Sequence, residues 1–92
     1  QIDDWLYDQG IPHEREPHYP GSKFRADFRV NDILIEYFGL TGDKDYDDKT
    51  IRKQAICNAE GIRLVSIFPK DIVSIKGLEK KLGFLKENQG DL

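Results

Sequence analysis

Cysteine is scarce in this sequence. Cys57 stands alone, which excludes an internal disulfide framework. Long apolar runs are missing too. Nothing approaches the roughly 18 residues that a membrane-spanning helix needs, and no charged-then-apolar opening marks a secretory leader. The expectation is an intracellular protein with no membrane partner. There is no internal repeat, low-complexity tract, glycine-rich phosphate loop or nucleophile elbow. Nor does one sign of charge dominate. Seventeen acidic residues face 14 basic ones, a net of −3, which argues against a wholly basic nucleic-acid binder while leaving room for local patches. At 92 residues the chain makes one domain with one modest core. Five Phe, four Tyr and one Trp are ample to pack it. The chain opens on Gln1 inside a helical pattern, without an initiator Met, so a domain excised from a larger protein is expected.

Residues 2–9 read as a short helix with Ile2, Trp5 and Leu6 on one side and Gly10 at its end. Residues 11–16 read as a short strand closed by Pro17, followed by a loop at Pro20, Gly21 and Ser22. Residues 24–30 alternate strictly. Phe24, Ala26, Phe28 and Val30 fall on one face, and Arg25, Asp27 and Arg29 on the other. Asn31 and Asp32 suit a two-residue hairpin turn, because both tolerate positive φ. Residues 33–38 then form the return strand, pairing Val30 with Ile33, Phe28 with Ile35 and Ala26 with Tyr37. After a polar loop, residues 47–60 read as a helix stopped by Gly61. Residues 62–68 read as a buried strand reached by a parallel crossover. A last helix over 75–86 carries Ile75, Leu78, Leu82 and Leu85 on one stripe, interrupted by Gly77 and Gly83. The order is α-β-β-β-α-β-α, a small α/β fold around a mixed sheet.

The hairpin register sets Asp27 directly across from Glu36. Like charges opposed in a sheet destabilise it, by roughly 3 kcal/mol at ~5 Å and an effective dielectric near 20. Either a divalent cation held between the carboxylates or ion pairs to the flanking Arg25 and Arg29 would offset that repulsion. The acidic stretch at residues 42–48 carries a charge of −3, so the remainder is balanced. Arg25, Arg29, Lys49, Arg52 and Lys53 are the basic residues placed to line a phosphate path.

The helix, the Gly-Ile step, the Arg-Ala-Asp27-Phe strand and the Ile-Leu-Ile-Glu36-Tyr-Phe-Gly strand together resemble the core of the PD-(D/E)XK nuclease superfamily. The likeness extends from the first helix to the strand ending near Phe68. It implies a restriction-endonuclease-like core, DNA as partner, and Mg2+ or Mn2+ as cofactor. Asp27 and Glu36 resemble the metal-ligating acids, with the metal polarising the scissile phosphate and activating water. The motif lysine belongs two residues after Glu36, where Phe38 stands. Some members carry it on the following helix, and Lys53, then Lys49, takes that catalytic role here. Arg25, Arg29 and Arg52 are expected DNA contacts. The family's first-helix acid would fall at or before Gln1; Asp3 and Asp4 are present, but on this spacing neither is clearly its match, and the role stays unassigned. A homodimer, or a fused DNA-binding or helicase domain, and a cytoplasmic or nucleoid-associated setting follow from the same likeness. The rival readings are a nuclease-like module that only binds DNA or protein, and a plain structural domain with salt-bridged acids.

Other signals are weaker. Asp43, Asp45 and Asp47 open like a calcium loop, but Asp48 and Gln54 stand where its glycine and glutamate belong. His13 and His18 lack companions for zinc. Cys57 reads as a buried thiol without a His partner, and Tyr46 as a packing residue or a cap on the site.

Overall fold

The computed structural model describes residues 1–39 and 44–89, with side chains through residue 86. In chain order the elements are α1 (Ile2–Asp8), β1 (Glu14–Arg15), β2 (Phe28–Val30), β3 (Ile33–Tyr37), α2 (Lys44–Glu60), β4 (Arg63–Ile67), a 3-10 turn (Pro69–Asp71), α3 (Ile75–Leu82) and α4 (Phe84–Gln89). The four strands lie in the order β1-β2-β3-β4. β1 and β2, and β2 and β3, are antiparallel; β3 and β4 are parallel, joined through α2. This is a small α/β fold on a mixed sheet, with an order close to the expected one. No described helix is long and apolar enough to cross a membrane.

Local chemistry explains the frame. Asn31 takes φ 54° in the turn between β2 and β3, so Val30 meets Ile33 and Phe28 meets Ile35. Helices α1 and α2 end alike. Gly10 and Gly61 each take φ 68°. The following N–H, of Ile11 or Ile62, donates back to Leu6 or Cys57, capping the last turn.

Both sheet faces are covered. One carries the larger core, where Val30, Ile35, Val65 and Ile67 pack with Trp5 and Leu6 of α1, Leu78 and Leu82 of α3, and Leu85 of α4. The other carries a small cluster of Tyr19, Ala26, Leu34 and Cys57, with Phe24, Ile56, Ile62 and Leu64 against it. β3 lies between the two, which is why its run reads as apolar with Glu36 its one charged residue.

The expected strand 24–30 is shorter than its alternation suggests, and its faces differ. Phe28 and Val30 join the large core, whereas Phe24 and Ala26 join the small cluster. The parity changes at Asp27, where the backbone bends. Asp27 N–H donates to the carbonyl of Ile35, which is also the register partner of Phe28. Two residues thus meet one, the arrangement of a β-bulge. The expected Ala26–Tyr37 pair is therefore absent from the ladder.

Other boundaries shift. β1 covers only Glu14–Arg15. α2 begins at Lys44 rather than near residue 47, with Asp45 and Asp47 favouring its N-terminal dipole. Gly42 and Asp43 of the calcium-loop pattern lie outside the described residues. The last helix is two, divided at Gly83. Lys81 ties α3 to the end of β4, donating to the Ser66 carbonyl at 3.0 Å and facing Asp71 at 3.5 Å.

Candidate functional site

Glu36 points from β3 towards α2, on the face of Leu34, and is only 5% exposed. A carboxylate there needs compensation. Tyr19 donates its hydroxyl to Oε1 at 2.7 Å, and Lys53 places Nζ 2.6 Å from Oε2. Burial, then the hydrogen bond to Glu36, pushes the Tyr19 phenol far above its usual range, so the hydroxyl stays a donor. Burial, then the Glu36 charge, also raises the Cys57 thiol nearby, which keeps it an inert core residue as its lone position suggested.

Lys53 reaches Glu36 because of its place on the helix. Tyr46, Thr50, Lys53 and Cys57 recur every three or four residues and form the sheetward stripe of α2. Phe38 could not carry the cation. It is 2% exposed and packs between Tyr46 and Phe68, with ring centroids 6.3 and 6.0 Å away. Of the two expected lysines, Lys53 meets Glu36. Lys49 stays exposed, one turn away, as does Arg52.

Asp27 does not oppose Glu36 as a ladder pair, because regular pairing starts at Phe28. Its Oδ2 instead accepts the Tyr37 N–H at 2.7 Å, pinning the bend to β3. It borders a cavity of about 560 Å³ lined also by Gln1, Asp3, Glu16, Phe28 and Tyr37. Its charge still acts on the Tyr19 hydroxyl, the group bonded to Glu36. Arg25 and Arg29 do not neutralise either acid. Arg25 donates to His18 at 3.3 Å, and Arg29 pairs with Glu14 at 2.9 Å. The cation that answers the buried carboxylate is Lys53.

A second charged cluster flanks the cavity. His13 is 2.7 Å from Asp3 through Nε2 and 2.8 Å from the Ile11 carbonyl through Nδ1, and Arg15 takes the other oxygen of Asp3. The His13 hydrogen bond is the main cause that holds the Asp3 carboxyl below its usual range. Asp3, left unassigned by the family likeness, is thus engaged by β1 and the residues before it. Tyr19 also escaped the sequence reading. Its one signal is an aromatic set in a Pro-rich loop between Pro17 and Pro20.

Among the described residues, no three His, Cys, Asp or Glu side chains gather into a metal cage. Magnesium does not require one. It binds through one or two carboxylates and completes its octahedron with water and phosphate oxygens. Each carboxylate offers about four lone-pair positions; Asp27 uses one of its own and Glu36 two. Both are hard oxygen donors, the chemistry such an ion takes; Asp27 opens on the cavity, whereas Glu36 does not line it and faces α2. No family model matches the chain, and no curated protein or solved structure matches it either.

Proposed function

We propose that this chain is a metal-dependent DNA endonuclease domain with a restriction-endonuclease-like core. The observation that carries the reading is the ammonium of Lys53 at 2.6 Å from Glu36. The cation missing at Phe38 is supplied from the next helix, at the carboxylate where phosphodiester chemistry needs it. The element order, the hairpin bearing Glu36 with Asp27 at the bend just before it, and the parallel crossover through α2 support the same reading.

In this mechanism Asp27 and Glu36 would hold Mg2+ or Mn2+, which would supply Lewis-acid polarisation of the phosphate and a more acidic water. Lys53 places fixed positive charge beside Glu36, where it would offset the negative charge that builds on the phosphate in the transition state. Its aromatic surroundings limit water around the ammonium and strengthen that effect. The exposed Arg25 and Arg52 provide non-specific phosphate contacts outside the centre. Cutting both strands calls for a second centre, in a homodimer or a fused domain, and the setting is intracellular, with DNA.

The test is cleavage of supercoiled plasmid by the purified chain with Mg2+ or Mn2+. Nicked product should appear, vanish with chelator and vanish in Asp27→Asn. Lys53→Ala should lower kcat by about 100-fold, with little change in DNA affinity. A folded wild type that cuts nothing with either metal overturns the proposal.

One observation favours a second reading. Both Glu36 oxygens already have donors in the protein, as suits a nuclease-like module that binds DNA without cutting it. Salt-sensitive DNA binding without cleavage is its signature.

A further inference from the structure

We infer that Tyr19, assisted by Phe24, is a positioning residue that fixes the plane of the Glu36 carboxylate and holds the Lys53 ammonium against it. The inference rests on the reading of Glu36 and Lys53 as parts of a catalytic centre.

The last torsion of a glutamate is broad and roughly two-fold, so burial alone does not orient its oxygens. Here two donors from separate elements do so. Tyr19 takes Oε1 from the loop before β2, and Lys53 takes Oε2 from α2. Either donor alone would leave the carboxylate free to rotate about the remaining bond.

Packing does not account for the Tyr19 hydroxyl. Tyr19 is 0% exposed, and a phenylalanine would fill the cluster without burying a polar atom. The hydroxyl is aimed instead at the one carboxylate on that face of β3.

The same loop brings a second ring. The Tyr19 N–H donates to the Phe24 carbonyl at 2.9 Å, and the Ser22 N–H to the Tyr19 carbonyl at 3.1 Å. This closed loop sets both aromatics beside Lys53, whose Nζ lies 5.6 Å from the Tyr19 centroid and 5.8 Å from that of Phe24. Ring faces attract an ammonium at this range. Lys53 is therefore held on three sides, by one carboxylate and two rings.

The experiment pairs ammonium-selective NMR of Lys53 with kinetics. In the wild type the Lys53 Nζ signal should be sharp and slow to exchange. Tyr19→Phe should broaden it and speed its exchange, while Trp5 fluorescence reports an intact fold. Plasmid cleavage by Tyr19→Phe should show kcat lowered by about tenfold, with KM for DNA unchanged and a higher Mg2+ midpoint. Phe24→Leu leaves the buried hydroxyl untouched and provides the second variant if Tyr19→Phe does not fold. It should shift the Lys53 signal through loss of the ring current and hasten exchange.

A Lys53 signal unchanged in both variants overturns the inference, as does a loss of stability in Tyr19→Phe with the Lys53 signal unmoved. A wild type without cleavage sinks the nuclease reading instead, and the NMR result alone then decides whether Tyr19 positions the pair.

Discussion

Replacing Lys53 by Met asks whether the Glu36–Lys53 pair is a true buried ion pair. The side chains are 15% and 7% exposed, with the charges 2.6 Å apart. At an effective dielectric of 20, the gross attraction is about 6 kcal/mol. Desolvation of the two ions takes back several kcal/mol of it. Lys53→Met leaves the desolvation of Glu36 in place and removes its compensation, so the expected loss is about 3 kcal/mol. For 92 residues, an unfolding entropy near 2.1 cal/mol/K per residue turns that into a Tm drop of about 15 °C. Glu36→Gln with Lys53→Met removes both charges, keeps an acceptor for Tyr19, and should lose only about 1 kcal/mol. Urea and thermal melts at neutral pH, followed through the single buried Trp5, measure all three chains. A single variant that fails to fold while the double variant folds gives the same answer. A single variant within about 1 kcal/mol of wild type, or no less stable than the double, refutes the reasoning.

Two further perturbations probe the frame around the site. The Asp3 carboxyl is held below the usual 3.8 mainly by His13. A lowered folded pKa means a contribution fully present above the unfolded value and lost as pH falls through the folded one. The Tm advantage of wild type over Asp3→Asn should thus be present above the ordinary carboxylate range and be lost as the pH falls below 3.8; a gap that stays unchanged through that fall refutes the assignment. Gly77→Ala would raise helix propensity in α3, yet its Cβ would stand 2.3 Å from the Asp71 carbonyl oxygen. Overpacking against backbone should win, lowering stability by about 1–3 kcal/mol in a urea melt, and a more stable variant contradicts that contact.

Periodicity made the hairpin and the crossover legible. Asn31 and Asp32 fix the turn, and the apolar partners of β2 and β3 then settle which residues meet. Helix periodicity placed both Lys49 and Lys53 on the side of Tyr46; the preference for Lys53 came from the family resemblance. Asp27 was misread for a physical reason. Alternation marks one face only while the strand runs straight, and here each sheet face carries a core that can take the apolar residues. The run Phe24, Ala26, Phe28, Val30 is thus equally compatible with one straight strand and with a strand that changes sides midway. Asp3 with His13 and Arg15, and Tyr19 with Glu36, join residues ten to seventeen apart across irregular chain. No repeat connects such positions, so only the folded geometry reveals them. The early start of α2 was hidden by aspartates that suit a loop and a helix N-terminus alike.

The bend at Asp27 works as a frame shift in three dimensions. The turn at Asn31 and Asp32 sets the phase of everything after it, so a strand running straight through Asp27, with the same number of residues, would change nothing downstream. Upstream, each side chain would trade places with its neighbour. Lys23 and Arg25, now exposed, would rotate under α2, while Phe24 and Ala26 would rotate out of the small cluster. Lys53 would then lose one of its rings and meet a second cation beside Glu36. Straightening the bend would thus disturb the centre through parity alone, with Asp27, Glu36 and Lys53 still in the sequence. For this stretch of chain, the bend carries information that residue identity does not.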